Sequence, residues 1–235
     1  NVTGNKNITA IFAIDSYTLT YTAGANGSLT GALSQTVDHG SGGTSVTAVP
    51  VANYHFLEWS DGVKSNPRTD INVTNDINVT AEFEIDTFVV NLTTIGNGTV
   101  TNSQDLSRLE YGSSVILTAT SRIGWTFSGW TGCVSSSANP LTLNIDKAKD
   151  ITAIFIVNTY TINLETSGSG AVAKSPDQKC YDYGTSLTIT ATPLTGWNFT
   201  GWSGIENITK KGNETVNPLT FTVEGEQNIK ATFVI

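Results

Sequence analysis

The sequence predicts an all-β chain built from three tandem copies of one small repeat, and three observations predict it. The first is internal repetition. Trp125-Thr126-Phe127-Ser128-Gly129-Trp130-Thr131-Gly132 returns as Trp197-Asn198-Phe199-Thr200-Gly201-Trp202-Ser203-Gly204, with a weaker copy at Tyr54-His55-Phe56-Leu57-Glu58-Trp59-Ser60. The second aromatic anchor falls at Trp59, Trp130 and Trp202, in steps of 71 and 72 residues. The second observation is a period-2 alternation of apolar residues with threonine, which sends one face of a segment to a core and the other to water. The third is composition: charged residues are 14% of 235 and Gly reaches 22. Hydroxyl and amide groups must therefore supply much of the solubility, and threonine suits a pleated surface. No window shows a 3.6-residue period, so little or no helix is expected.

Each copy opens on a strand. Tyr17, Leu19 and Tyr21 alternate with Thr18, Thr20 and Thr22; Phe88, Val90 and Leu92 repeat the pattern, and Tyr160-Thr161-Ile162 opens copy three. Tight hairpins follow at Asn26-Gly27, Asn97-Gly98 and Ser169-Gly170, pairs that supply positive φ. Val115, Leu117 and Ala119 then match Leu187, Ile189 and Ala191 as one face of a further strand. After the aromatic segment each copy closes on Thr/Lys-Ala-x-Phe, at 80–83, 152–155 and 230–233, with Ile151, Ala153 and Phe155 facing inward like Ile229, Ala231 and Phe233. Copy one departs most, with Glu58 in place of Gly129 and Gly201. Five to seven strands per copy are expected, with copies at 15–85, 86–157 and 158–235. The closing motif also occurs at Thr9–Phe12, and Asn1-Val2-Thr3 and Asn7-Ile8-Thr9 match Asn72-Val73-Thr74 and Asn78-Val79-Thr80. Residues 1–14 thus read as the closing strand of a preceding repeat. Such a strand completes that repeat in a longer array, or fills an open sheet edge in another subunit.

A copy of this size has a marginal core. Two large aromatics and a phenylalanine answer that need, since each buries roughly 150–250 Å². The step from closing Phe to next opening aromatic is always five residues: Phe12 to Tyr17, Phe83 to Phe88, Phe155 to Tyr160. Linkers so short and constant predict an elongated rod. Three repeats in line give a radius of gyration of about 26 Å, against about 17 Å for one globule of this length. Solution scattering near the smaller value contradicts the rod.

The run Tyr183-Gly184-Thr185-Ser186-Leu187-Thr188-Ile189-Thr190-Ala191-Thr192-Pro193, followed by the aromatic segment and the Lys-Ala-Thr-Phe close, resembles the divergent internalin B-type repeat. The resemblance spans essentially the whole chain. It implies a compact β-grasp-like or sandwich-like fold in long cell-surface or secreted proteins, serving as stalk, spacer or adhesive array. It carries over no catalytic residues.

Composition narrows the function classes. A net charge of −8 with 12 Lys and Arg argues against nucleic acid as partner. No stretch approaches the roughly 18 apolar residues of a membrane helix, and no signal peptide is visible. Met is absent even at position 1, which points to a processed chain or a segment of a longer one. The only imidazoles, His39 and His55, lie in copy one; at the place of His55 the other copies carry Thr126 and Asn198. No nucleophile motif accompanies them, so they read as surface residues and the chain as a non-enzyme without cofactor. Trp125, Trp130, Trp197 and Trp202, with Trp59, read as repeated core aromatics; a sugar-stacking platform is the alternative. Cys133 and Cys180 are a candidate disulfide across the junction of copies two and three, or two unbonded small side chains. Asp146 and Asp150 flank a turn without the dense oxygen ligands of a calcium loop. Ten sequons are candidate N-glycosylation sites: Asn1, Asn7, Asn26, Asn72, Asn78, Asn91, Asn97, Asn198, Asn207 and Asn213. That is roughly twice the chance number, an excess that repetition inflates. The leading expectation is a non-catalytic extracellular or cell-surface structural protein, as stalk, adhesin segment or filament subunit, whose partners are neighbouring repeats or identical subunits. A module that grips glycans or a surface protein is the alternative.

Overall fold

The computed structural model describes residues 3–205 and 214–235. Among them, all regular structure is strand. Copy one holds β1 (Ser16–Ala23), β2 (Gly27–Gly31), β3 (Ser34–Asp38), β4 (Val46–Pro50), β5 (Tyr54–Trp59) and β6 (Ile77–Ile85). Copy two holds β7 (Thr87–Phe88), β8 (Val90–Ile95), β9 (Gly98–Asn102), β10 (Leu109–Glu110), β11 (Ser114–Ser121), β12 (Trp125–Gly132), β13 (Leu141–Asn144) and β14 (Lys149–Val157). Copy three holds β15 (Thr159–Tyr160), β16 (Ile162–Ser167), β17 (Gly170–Ser175), β18 (Tyr181–Asp182), β19 (Ser186–Pro193), β20 (Asn198–Ser203), β21 (Leu219–Thr222) and β22 (Gln227–Val234). Copy one meets the expected strand number, while the other two exceed it by short pieces. Their opening strand is broken in two, and β13 and β21 replace what in copy one is a lone bridge between Val46 and Arg68.

The closing strand sits at the centre of a mixed sheet in every copy. It runs parallel to the opening strand and antiparallel to the aromatic strand: β1 and β5 flank β6, β8 and β12 flank β14, β16 and β20 flank β22. A parallel pair needs a crossover, and the intervening chain supplies it as a second, antiparallel sheet: β2-β4, β9-β11-β13 or β17-β19-β21. In copy three one apolar cluster joins Trp202, Ile229 and Ala231 of the first sheet to Leu187, Ile189 and Leu219 of the second. The two sheets thus enclose one core, a small sandwich. The alternation read from sequence holds here, since Val115, Leu117, Ile151, Ala153 and Phe155 are all buried.

Two local features were not apparent from alternation alone. In the aromatic strand the register slips by one residue, between Phe56 and Glu58, Phe127 and Gly129, and Phe199 and Gly201. Residues three apart on a regular strand face opposite ways; this β-bulge turns both Phe127 and Trp130 inward, with ring centroids 5.1 Å apart. Copy one keeps the bulge with Glu58. The hairpin glycines have a different role from the one expected. Positive φ falls on Asn26, Gly96 and Gly168, whereas a Cβ on Gly98 would stand 2.3 Å from the Phe155 ring. Gly98 and Gly170 are required for space, so that the closing phenylalanine can lie on the hairpin.

Contacts divide the chain into two compact units, Asn1–Phe88 with Glu110–Gly112, and Val89–Leu109 with Ser113–Ile235. Residues 3–14 form no strand, and Ile8, Ile11 and Phe12 are exposed. In copy one the place of the closing strand, between β1 and β5, is already held by β6.

Candidate functional site

The buried tryptophans organise each copy. Trp59, Trp130 and Trp202 are 0%, 1% and 3% exposed. Each indole N–H donates to a loop carbonyl: Trp59 to Ser65 at 3.1 Å, Trp130 to Ala138 at 2.8 Å and Trp202 to Val216 at 2.9 Å. The next residue is always an asparagine followed by proline. Asn66, Asn139 and Asn217 each accept from an alanine N–H of the second sheet and donate to the same alanine's carbonyl, on Ala48, Ala119 and Ala191 at 2.7–2.9 Å. The side-chain amide stands in for a neighbouring strand's peptide group and ties the loop to that sheet. Trp125 and Trp197 are half-buried and pack over Gly96 and Gly168, where a Cβ would come within 2.9 and 2.7 Å of the indole. No flat ring face is left by the three anchors for a sugar to stack on.

Copy one contains a buried ionic cluster that the sequence analysis missed. Arg68, 4% exposed, donates to Asp61 Oδ1 at 2.8 Å and to both oxygens of Asp70 at 2.7–3.1 Å. Tyr21 donates its hydroxyl to Asp70 at 2.6 Å, and the guanidinium lies over the Trp59 ring at 5.5 Å. The Arg68 hydrogen bond holds the Asp61 carboxyl below the usual carboxylate range. Burial opposes ionisation of Asp70, yet its hydrogen bonds from Arg68 and Tyr21 outweigh that and hold it low as well. Burial, then the Asp70 bond, pushes the Tyr21 phenol up. Counting from the Asn-Pro pairs, Arg68 and Asp70 stand where the other copies have Leu141 and Leu143, or Leu219 and Phe221. Aligning that strand among copies was the available signal.

A second repeated feature is the linker. In the first unit, Asp86 donates its N–H to Asn53 O (2.9 Å) and accepts from Tyr111 N–H (2.8 Å). In the second unit, Asn158 donates to Gly124 O and accepts from Tyr183 N–H, both at 2.8 Å. Side chains latch the same place: His55 Nδ1 meets Asp86 Oδ1 at 3.0 Å, and Thr126 donates to Asn158 Oδ1 at 2.6 Å. Gly124 is required here, because a Cβ would stand 2.1 Å from the Tyr183 ring. His55 is therefore a linker contact, while His39 meets the Tyr17 hydroxyl at 3.3 Å.

The remaining candidates do not converge. Cys133 and Cys180 are free and exposed. Cys133 follows the end of β12 that pairs with Ile151, while the other end, Trp125, pairs with Val157 beside the linker to copy three. Asp146 accepts from Lys149, which holds its carboxyl below the usual range, and Asp150 accepts from Asn91. Among the described residues no cluster of His, Cys, Asp or Glu could hold a metal. Asn7, Asn26, Asn72, Asn78, Asn91, Asn97 and Asn198 are exposed; Asn1, Asn207 and Asn213 lie outside the described residues.

Two-sheet repeats joined by a recurring hydrogen-bonded linker define a tandem all-β repeat protein. The sequence pattern of the Divergent InlB B-repeat domain matches residues 17–87, 88–159 and 160–235, and the chain belongs to that family. A solved structure, the Bacillus anthracis TIE protein, is similar over 93% of this chain at 11% identity and a TM-score of 0.48. The chain spans 50% of the length of that structure. No helix among the described residues is long and apolar enough to cross a membrane.

Proposed function

We propose that the chain is a non-catalytic structural segment of an extracellular or cell-surface protein, in which the repeats act as a spacer within a stalk, adhesin or filament. The observation that carries this reading is the linker. Asp86 and Asn158 make the same pair of backbone hydrogen bonds, and Gly124 is fitted to a residue of the following copy. The Asn158 joint ties copies two and three to each other within one unit, which suits a mechanical array better than independent modules. Its partners on this reading are neighbouring repeats or identical subunits. The alternative, glycan or surface-protein binding through the aromatics, is weakened by the burial of Trp59, Trp130 and Trp202.

Labelling intact native cells with a membrane-impermeant, amine-reactive biotin reagent tests the location. Surface lysines of this chain are expected to label before lysis, Lys64 among them with 76% of its side chain exposed. Labelling only after lysis contradicts the proposal.

A further inference from the structure

The parallel pairing of opening and closing strands reveals an equivalence that the aligned repeats conceal. In copy one Asn78 of β6 lies opposite Thr20 of β1. In copy two Asn91 of β8 lies opposite Asp150 of β14. In copy three Asn163 of β16 lies opposite Asn228 of β22. These pairs occupy one position of the mixed sheet, on the face turned away from the core, because the residues beside them (Leu19, Val79, Val90, Ile151, Ile162, Ile229) are the buried ones. Asn78 and Asn91 are both exposed and both begin sequons. One belongs to a closing strand and the other to an opening strand, so copying of the repeat cannot account for the two together.

The residue two places on completes the pattern. Thr80 lies opposite Thr22, and Thr93 opposite Thr152, with hydroxyl oxygens 2.9 and 2.7 Å apart on the same outer face. In copy three Glu165 and Lys230 take these places. Both asparagines remain there, bonded from Asn163 Nδ2 to Asn228 Oδ1 at 2.8 Å, but neither is a sequon. The asparagine persists in every copy; the acceptor hydroxyl does not.

We propose that Asn78 and Asn91 are N-glycosylation sites, which place one glycan at the same point on the outer sheet face of copies one and two. The proposal rests on the surface reading above, because transfer requires an exported chain. The co-reactant is a polyprenyl-phosphate-linked oligosaccharide. The asparagine carboxamide nitrogen forms a C–N bond to C1 of the reducing-end sugar, and the C1–O bond to phosphate breaks. The polyprenyl phosphate leaves with the electron pair, and the amide gives one proton to a base. The linked nitrogen keeps one N–H, so Asn91 can still donate to Asp150. Neither side chain takes part in the core, and the sheet tolerates the addition.

The test is mass spectrometry of intact glycopeptides from the chain purified from its native cells. Peptides containing Asn78 and Asn91 are expected at a glycan-shifted mass, and those of Asn163 and Asn228 at their bare mass. N78Q and N91Q each remove one glycan without lowering the melting temperature. K230T completes Asn228-Ile229-Thr and is expected to add a glycan to copy three. Bare peptides at Asn78 or Asn91 in native material overturn the proposal, as does K230T without added mass. Biotin labelling separates the two readings: a labelled but unglycosylated chain sinks this inference alone, whereas labelling only after lysis sinks the surface reading.

Discussion

Trp130→Ala and Trp202→Ala are each expected to lower stability by about 3–5 kcal/mol, the cost of emptying a large aromatic site in a packed core. Each substitution removes the ring that packs on Phe127 or Phe199 at 5.1 Å. It also leaves the Ala138 or Val216 carbonyl without its indole donor, so that the loop bearing the Asn-Pro pair loses an anchor. A copy of about 70 residues has little stability in reserve, and unfolding of the substituted copy ahead of the others is the expected result. Calorimetry of the full chain reads it as a separate early transition. Unchanged melting in both variants contradicts the core role and returns the tryptophans to ligand binding.

Arg68→Ala is the second large effect, at about 3–5 kcal/mol, because it strands Asp70 beneath the sheet without its cation. Replacing Tyr21, Arg68 and Asp70 together by leucine imitates the apolar packing of copy two. That change is expected to be neutral or to stabilise by about 1–4 kcal/mol. The same cluster sets an acid limit. Asp61 and Asp70 have folded pKa values below their unfolded ones. Their contribution is therefore full above about pH 4, the unfolded carboxylate value, and is lost as pH falls through the folded values. Copies two and three carry leucine or phenylalanine there. Amide hydrogen exchange at pH 3 and pH 7 is expected to show protection lost first in β1, β4 and β6. Loss shared equally by all three copies contradicts the assignment.

Much of this fold was legible because burial follows period 2. Leu19, Ile151 and Ile229 could be sent inward from their neighbours alone, and the three-fold Trp spacing located the copies. What escaped has a physical reason in each case. The bulge after Phe127 is a change of backbone register, and period counting assumes that register is constant. Gly98 was read for its torsion, although its constraint is a ring from a distant strand. The Arg68 cluster broke the apolar pattern in one copy, where a charged pair mimics the space of Leu141 and Leu143. Asn139 is in sequence only a residue before proline, and the fold alone brings its amide to Ala119. Cys133 and Cys180 flank a junction in sequence, yet both are free in the structure. Asn78 and Asn91 share a site only because first and last strands run parallel.

Excision of copy two in the native protein tests the spacer reading most directly. Removing residues 88–159 joins Thr87 to Tyr160 and preserves the five-residue step from Phe83. Surface display, read with an antibody to copy three, is expected to persist. The distance of that label from the cell envelope in electron micrographs is expected to shorten by roughly 29 Å, about one repeat diameter. Unchanged reach, or loss of display while copies one and three remain folded, contradicts a spacer.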